Sequence, residues 1–428
     1  MDTVVERCAG LDVHKDSVVA CVRVPGPSGE RETKVATFAT FTEDLLALRD
    51  WLVSLGITRV GMEATGVYWK PVLYLLEGEL DCWLLNARHM RNVPGRKTDV
   101  GDARWIWQLT EHGLARASFI PPPQIREIRE LTRYRRSVVE ERSREAQRLD
   151  KVLQDAGVKL SSVASDILGV SGRSMLMALV SGTEDPAVLA DLAKGQLRKK
   201  LPQLRSALEG RFGPTHAILV AEIMGKLDYS DEAIGRLSDA IDERIAPFAD
   251  ARERLCTIPG VDRRIAEAII GEIGVDMTRF PTPGHLASWA GMCPGQHESA
   301  GKSKKGTARK GDSWLQRHLA VAAMSAARTK GTYLASQYHR LSARRGKMRA
   351  RKAVGHTMLV AVWHILSEPG TTFVDLGPDW FDRRNSPELR ARRKLSELRA
   401  LGCDVTVNDD GTTTVVRQPP DAITIISP

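Results

Sequence analysis

Cysteine is scarce and scattered. The six thiols (Cys8, Cys21, Cys82, Cys256, Cys293 and Cys403) form no CxxC pair and no Cys/His cluster at zinc-finger spacing. That excludes a disulfide-framed scaffold and a finger-type zinc site, and leaves the thiols as small buried residues. Long apolar runs are missing too: no stretch of about 18 apolar residues occurs, so no membrane span is expected. The opening MDTVVERCAGLDVHK mixes acidic and basic residues before any apolar stretch, unlike the basic-then-apolar order of a secretory signal, and a cytoplasmic protein is expected. No internal repeat is seen.

What is present is a folded composition and a displaced charge. Hydrophobic residues make up 42% of 428 positions, enough for two or three domains of ordinary size. The formal charge of +9 suits a polyanionic partner. Its distribution is more telling, because residues 296–355 hold 15 Lys/Arg against two acids, Glu298 and Asp312. That one stretch outweighs the excess of the whole chain, as a phosphate-binding surface requires.

The expected fold class is α/β followed by α. Residues 1–118 alternate short apolar strands with helical stretches: CAGLDV, SVVACVRV and KVATFATF, then amphipathic TEDLLALRDWLVSLG, RVGMEATG, helical VYWKPVLYLLEGEL, DCWLLNA and helical VGDARWIWQLTEHGL. Three strands with no helix between them predict an antiparallel meander, and the later helix-joined strands predict parallel additions. That order matches a ribonuclease-H-like domain. After the break at Pro121, Pro122 and Pro123, residues 124–251 read as a long helical or coiled-coil linker and oligomerisation region, with turn signals at Gly169, Asp185-Pro186 and Gly213-Pro214. Residues 252–368 form a last compact helical segment, and 369–428 a tail of unknown role with a marginal hairpin and a loose end.

Four acids suggest chemistry. Asp12 in GLDVHK and Glu63 in GMEATG each close an apolar strand, where a buried charge is costly unless a cation or donor accepts it. Asp99 and Asp102 in KTDVGDA lie three apart at the start of a helix, on one face and near its amino terminus. Helix capping and first-turn charge account for that pair alone, and a hydrogen-bonded strand-end acid accounts for Asp12 or Glu63 alone. All four in the order strand, strand, helix pair point to one site of hard oxygen ligands for Mg²⁺ or Mn²⁺, suited to phosphodiester chemistry. His14 and Lys15 could touch phosphate but are read as a solvated turn, and Trp69, Trp105 and Trp107 as core in preference to base stacking.

The segment LCTIPGVDRRIAEAIIGEIG has the shape of a helix-hairpin-helix, whose turn amides and following helix terminus bind phosphate without reading sequence, with a plain helical hairpin as the alternative; Gly260, Arg263 and Arg264 are the candidates. Further on, Ser299 lies in a polar loop, and Lys302, Lys304, Lys305, Arg309 and Lys310 could neutralise phosphate beside it. Spacing alone leaves Ser303 and Ser313 as equal rivals.

GLDVHK, EATG, KTDVGDA, the IPGV hairpin and AGMCPGQHESAGK with its basic run together resemble the insertion sequence 110 family of transposases, from about Cys8 to Glu368. The resemblance implies a RuvC-like DEDD domain with Asp12, Glu63, Asp99 and Asp102 as metal-binding tetrad, and a carboxyl-terminal transposase domain with Ser299 as nucleophile. It further implies double-stranded DNA at element ends and target, a bridge RNA as guide, and a homo-oligomer, dimer or tetramer, in which a partner subunit completes the site. Gly311-Asp312 departs from the family's frequent Gly-Asn. Three rivals stand beside this reading. An actin-like ATPase or sugar kinase shares a GLDVHK-like first phosphate loop, but the second Gly-rich loop it needs is missing. The others are a junction nuclease using water and a non-catalytic nucleic-acid-binding protein.

Overall fold

The structure, a computed structural model, describes residues 5–26, 30–64, 66–85, 99–114, 117–293, 298–299, 302–303, 310–384, 387–407 and 413–417. The chain divides at the proline break into two compact units, 1–120 and 121–428, so the regions 124–251 and 252–368 fall within one unit.

The first unit is built on a five-stranded mixed sheet of order β3-β2-β1-β4-β5. Strands β1 (Cys8–Val13), β2 (Ser17–Pro25) and β3 (Arg31–Ala39) form an antiparallel meander. Helix α1 (Thr42–Ser54) then carries the chain across to β4 (Arg59–Glu63), which pairs parallel to β1. Helix α2 (Trp69–Leu76) leads on to β5 (Asp81–Leu85), parallel to β4, and helix α3 spans Asp99–Glu111. The meander with parallel additions is as expected from the strand and helix signals.

Strand alternation gives the sheet two different faces. Ala9, Leu11, Val13, Val18, Ala20, Val22, Val60 and Met62 meet Leu45, Leu48 and Leu52 of α1 and Val72, Leu73 and Leu76 of α2 in the main core. The opposite face is floored by small groups. A Cβ on Gly10 would lie 2.2 Å from the Ala103 carbonyl oxygen and 2.3 Å from the Trp107 amide nitrogen, and one on Gly61 would lie 2.2 Å from Thr110 Oγ1. Only glycine lets the backbone of α3 approach this closely. At the far end of α3, buried Glu111 is held by Arg31 of β3 and, at 3.7 Å, by Arg23 of β2. Trp107 is buried, and Trp105 and Trp69 pack against apolar clusters, as expected for core residues.

The second unit starts with α4 (Pro123–Asp155), whose Pro123 occupies the first turn, where its missing N–H costs nothing. Helices α5 (Leu160–Val163), α6 (Val170–Val180), α7 (Pro186–Asp191) and α8 (Leu201–Leu208) follow, then α9 (Pro214–Ile245). The turn signals at Gly169, Asp185 and Gly213 each immediately precede a helix. The ion pairs Glu127–Arg244 (3.2 Å) and Arg142–Asp231 (2.5 Å) and the Asp155–His216 hydrogen bond (3.2 Å) show that α4 and α9 run antiparallel along their whole length, about 50 Å at 1.5 Å per residue.

The remaining helices are α10 (Ala249–Leu255), α11 (Arg263–Ile273), α12 (Pro283–Trp289), α13 (Ser313–Ala326), α14 (Tyr333–Arg345), α15 (Lys347–Ser367), α16 (Trp380–Arg383) and α17 (Pro387–Ala400). Two-residue strands β6 (Glu298–Ser299) and β7 (Lys302–Ser303) precede α13, and the tail hairpin is β8 (Cys403–Val407) with β9 (Thr413–Arg417). Helix α11 is buried along nearly its whole length, including two acids. Glu272 accepts two hydrogen bonds of 2.7 Å from the Arg133 guanidinium, and Glu267 accepts one of 2.8 Å from Arg135, which fastens α11 to α4. Such buried pairs are costly to break from one side, by about 3 to 5 kcal/mol.

Two outcomes follow. Gly10→Ala should destabilise the protein by about 1 to 3 kcal/mol, because α3 must shift, whereas Gly78→Ala, with open space around it, should change little. Denaturant unfolding decides, and equal midpoints for the two variants would sink the close-approach account. His318, buried beside Arg136 and Arg135, has its pKa pushed down by desolvation and then by those charges to about 4. Stability is therefore present above the ordinary value near 6.5 and falls as the pH drops below it, by up to about 1.4 kcal/mol per unit. His318→Gln should flatten that slope between pH 6.5 and 4 in the same titration.

Candidate metal centre

The sheet register and the glycine floor together assemble the acids. Leu11 pairs with Met62 in the parallel β1–β4 ladder, and one further step sets Asp12 abreast of Glu63 at the carboxyl ends of the two strands. By alternation from Gly10 and Gly61, both acids belong to the face that α3 covers. Ala103 rests on Gly10, so the first turn of α3, with Asp99 and Asp102, lies one turn back toward the strand ends.

Asp12 is only 8% exposed. Burial pushes its carboxyl pKa up, the His14 ring beside it pulls it down, and the negative charges of Asp102 and Asp99 push it up again. His14 Nε2 lies 3.1 Å from Asp12 Oδ2 and 3.6 Å from Asp99 Oδ1, and one ligand atom from each of the three residues fits within 4.8 Å. Octahedral Mg²⁺ or Mn²⁺ with bonds near 2.1 Å sets ligand oxygens about 3 to 4.2 Å apart, and Asp12 and Asp99, with ligand atoms within 4.8 Å of each other around His14, come close to that spacing. Glu63 and Asp102 are half-buried and stand outside this tightest group. Asp102 still acts on Asp12 through its charge.

His14, read from sequence as a turn residue, is therefore part of the acid cluster. Its signal was the two-residue spacing from Asp12, which repeats a strand's side-chain direction.

In the helix-hairpin-helix segment, Gly260 has φ +87°, and a Cβ on it would lie 2.3 Å from the Ala322 carbonyl oxygen, so both conformation and packing against α13 call for glycine. The amino terminus of α11 is capped by Asp262, which accepts from the Ile265 amide at 2.8 Å. Arg263 is engaged by Asp242 and, at 3.1 Å, by Glu267, while Arg264 is exposed. Ser299 pairs with Lys302 across β6 and β7; the side chains of both, and all of Lys304, Lys305 and Arg309, lie outside the described residues. Lys310 is exposed. The departure at Gly311-Asp312 has a local reason: a Cβ on Gly311 would lie 2.3 Å from the backbone of Ala290, and Asp312 caps α13 while pairing with Arg133 at 3.2 Å.

Two family models match the chain. Residues 9–157, which include all four acids, match a DEDD transposase model of the IS110 type, described as Transposase. Residues 252–340, which include Gly260 and Ser299, match the Transposase IS116/IS110/IS902 family, and the two matches together span more than half of the chain. No curated protein gives a significant match.

A metal titration separates a functional acid from a structural one. The raised pKa means that ionised Asp12 lowers stability at neutral pH, so Asp12→Asn in chelator should melt no lower than wild type. With Mn²⁺ at about 100 times its Kd, wild type should gain about 2.7 kcal/mol and Asp12→Asn nothing. A full Mn²⁺ shift in the variant would remove Asp12 from the site.

Proposed function

Because the chain belongs to the IS116/IS110/IS902 family of transposases and is thus a DNA transposase/recombinase, we propose that it exchanges strands between element ends and a target through two chemical centres. One is the acid set Asp12, Glu63, Asp99 and Asp102 in a ribonuclease-H-like, RuvC-like domain, and the other is Ser299. The observation that carries the reading is the convergence of buried Asp12 with His14 and Asp99.

In this reading the four acids hold Mg²⁺ or Mn²⁺, and His14 orients Asp12 through its 3.1 Å hydrogen bond. A divalent cation bound there supplies Lewis-acid stabilisation of charge on phosphate oxygens. Ser299 Oγ forms a bond to phosphorus as one phosphoester bond breaks, and the hydroxyl proton ends on the released ester oxygen. Attack by a hydroxyl of the other strand reverses the step, frees the serine and leaves the number of phosphoester bonds unchanged. Lys302, Lys304, Lys305, Arg309 and Lys310 neutralise the backbone beside the serine, with Gly260, Arg263 and Arg264 as a second contact.

Recombination must hold two duplexes, so the working assembly is a dimer or tetramer, with a partner subunit's metal site completing the centre and a bridge RNA choosing donor and target. The domain limits 1–118, 124–251 and 252–368 and the tail 369–428 belong to the same proposal.

Incubating the protein with element-end DNA, its candidate noncoding RNA and Mg²⁺ should give a protease-sensitive DNA adduct on a denaturing gel. Ser299→Ala and Asp12→Ala should each abolish it, with chelator doing the same in wild type. Cutting without an adduct, retained in Ser299→Ala, would instead identify a nuclease that uses water.

A further inference from the structure

Helix α13 and the first turns of α15 enclose a surface groove that was not legible as a motif. At one end it is lined by Met292, Ser313, Gln316 and Lys352, at the other by Arg136 and Arg328, and both ends share Arg317, Ala320 and Arg351. It is therefore continuous along α13, roughly 20 Å at 1.5 Å per residue, the axial rise of about six nucleotides.

Among the described residues, the groove carries more positive charge than nearby acids offset. Arg136 and Arg317 share the single acid Glu140, at 2.8 and 4.0 Å. Among the described residues, Arg328, Arg351 and Lys352 have no carboxylate within ion-pair distance, and Lys352 donates instead to the neutral Gln316 Oε1 at 3.0 Å. Burial lowers the Lys352 pKa with no opposing acid beside it. A fold that gathers cations from α4, α13 and α15 without matching acids gains no stability from doing so, and a polyanion is what such an arrangement complements.

Its position ties it to the chemistry. Met292 and Ser313, which flank the segment containing Ser299, both line the same end of the groove. We propose that the groove between α13 and α15 holds the phosphate backbone of the DNA strand attacked by Ser299, with Arg317, Arg351 and Lys352 as its principal contacts. The inference rests on the recombinase reading above and adds the track along which the strand enters.

Full-length protein titrated with a labelled element-end duplex, and separately with a labelled RNA hairpin, over roughly 50 to 300 mM KCl tests this by fluorescence anisotropy. For DNA, the double variant Arg317→Ala, Arg351→Ala should make the plot of log affinity against log salt shallower by about two and weaken binding about 10- to 100-fold near 150 mM. Arg317→Lys with Arg351→Lys should restore most of the slope. The control Lys194→Ala, Lys199→Ala, at exposed positions elsewhere in the unit, should leave it unchanged, and melting curves report whether each variant is folded. An unchanged DNA slope in a folded Arg317→Ala, Arg351→Ala protein overturns the groove and spares the recombinase reading. A loss confined to the RNA overturns it in favour of a guide-binding surface. Absence of any wild-type DNA binding, also with the candidate noncoding RNA present, overturns the strand-exchange reading itself.

Discussion

The first unit depends on the closeness of α3 to the sheet. With Ala103 and Trp107 backbone over Gly10 and Thr110 over Gly61, the helix cannot rise without losing its buried contacts or descend without collision. This rigidity sets where its first turn lies, and that turn carries two of the four acids. Clustered like charges repel, and Asp12 shows the consequence in a carboxyl pKa raised by burial and by its acidic neighbours. The packing energy of α3 thus sustains an electrostatic arrangement that would relax if its parts were free, a pattern expected where a site is preorganised for a cation.

The second unit uses charge in the opposite way. Glu267 and Glu272 are taken out of water with arginines of α4, which offset part of their desolvation, although burial still holds the Glu272 carboxyl above its ordinary pKa. A pair of this kind adds little net stability over apolar packing but strongly penalises any other docking of the same helices. The register of α11 on α4 is fixed in this manner, and Asp312 joins the same network through Arg133. Since Asp312 also caps α13, one chain of ion pairs and caps orders α4, α11 and α13. Among the described residues the groove's Arg328, Arg351 and Lys352 have no such partners, and the contrast separates arginines that build from cations that wait for a ligand.

Legibility followed sequence distance. The meander, the helix starts at Gly169, Asp185 and Gly213, and the strand-end positions of Asp12 and Glu63 were readable because each depends on neighbours a few residues away. The partners of Glu267 and Glu272 lie more than 130 residues earlier in the chain, so nothing local distinguishes α11 from a plain apolar helix. Gly10 and Gly61 have the same character, since their reason is α3. His14 is ambiguous in sequence, since a polar residue after a strand is most often a turn, and only Asp99, arriving from far along the chain, draws it into the acid cluster. The groove draws on three helices and has no sequence signature beyond the basic excess of 296–355.

That basic excess and the acid cluster impose opposite demands. Acids gathered to hold a cation repel a phosphate backbone, while lysines and arginines gathered to hold a backbone repel the cation. A polypeptide carrying both does best to place them on separately folded supports, each with its own core. The division at the proline break, with the acids before it and the uncompensated cations after it, meets this requirement in one chain. In the proposed reading neither support is complete alone, and strand exchange needs a phosphate that both hold.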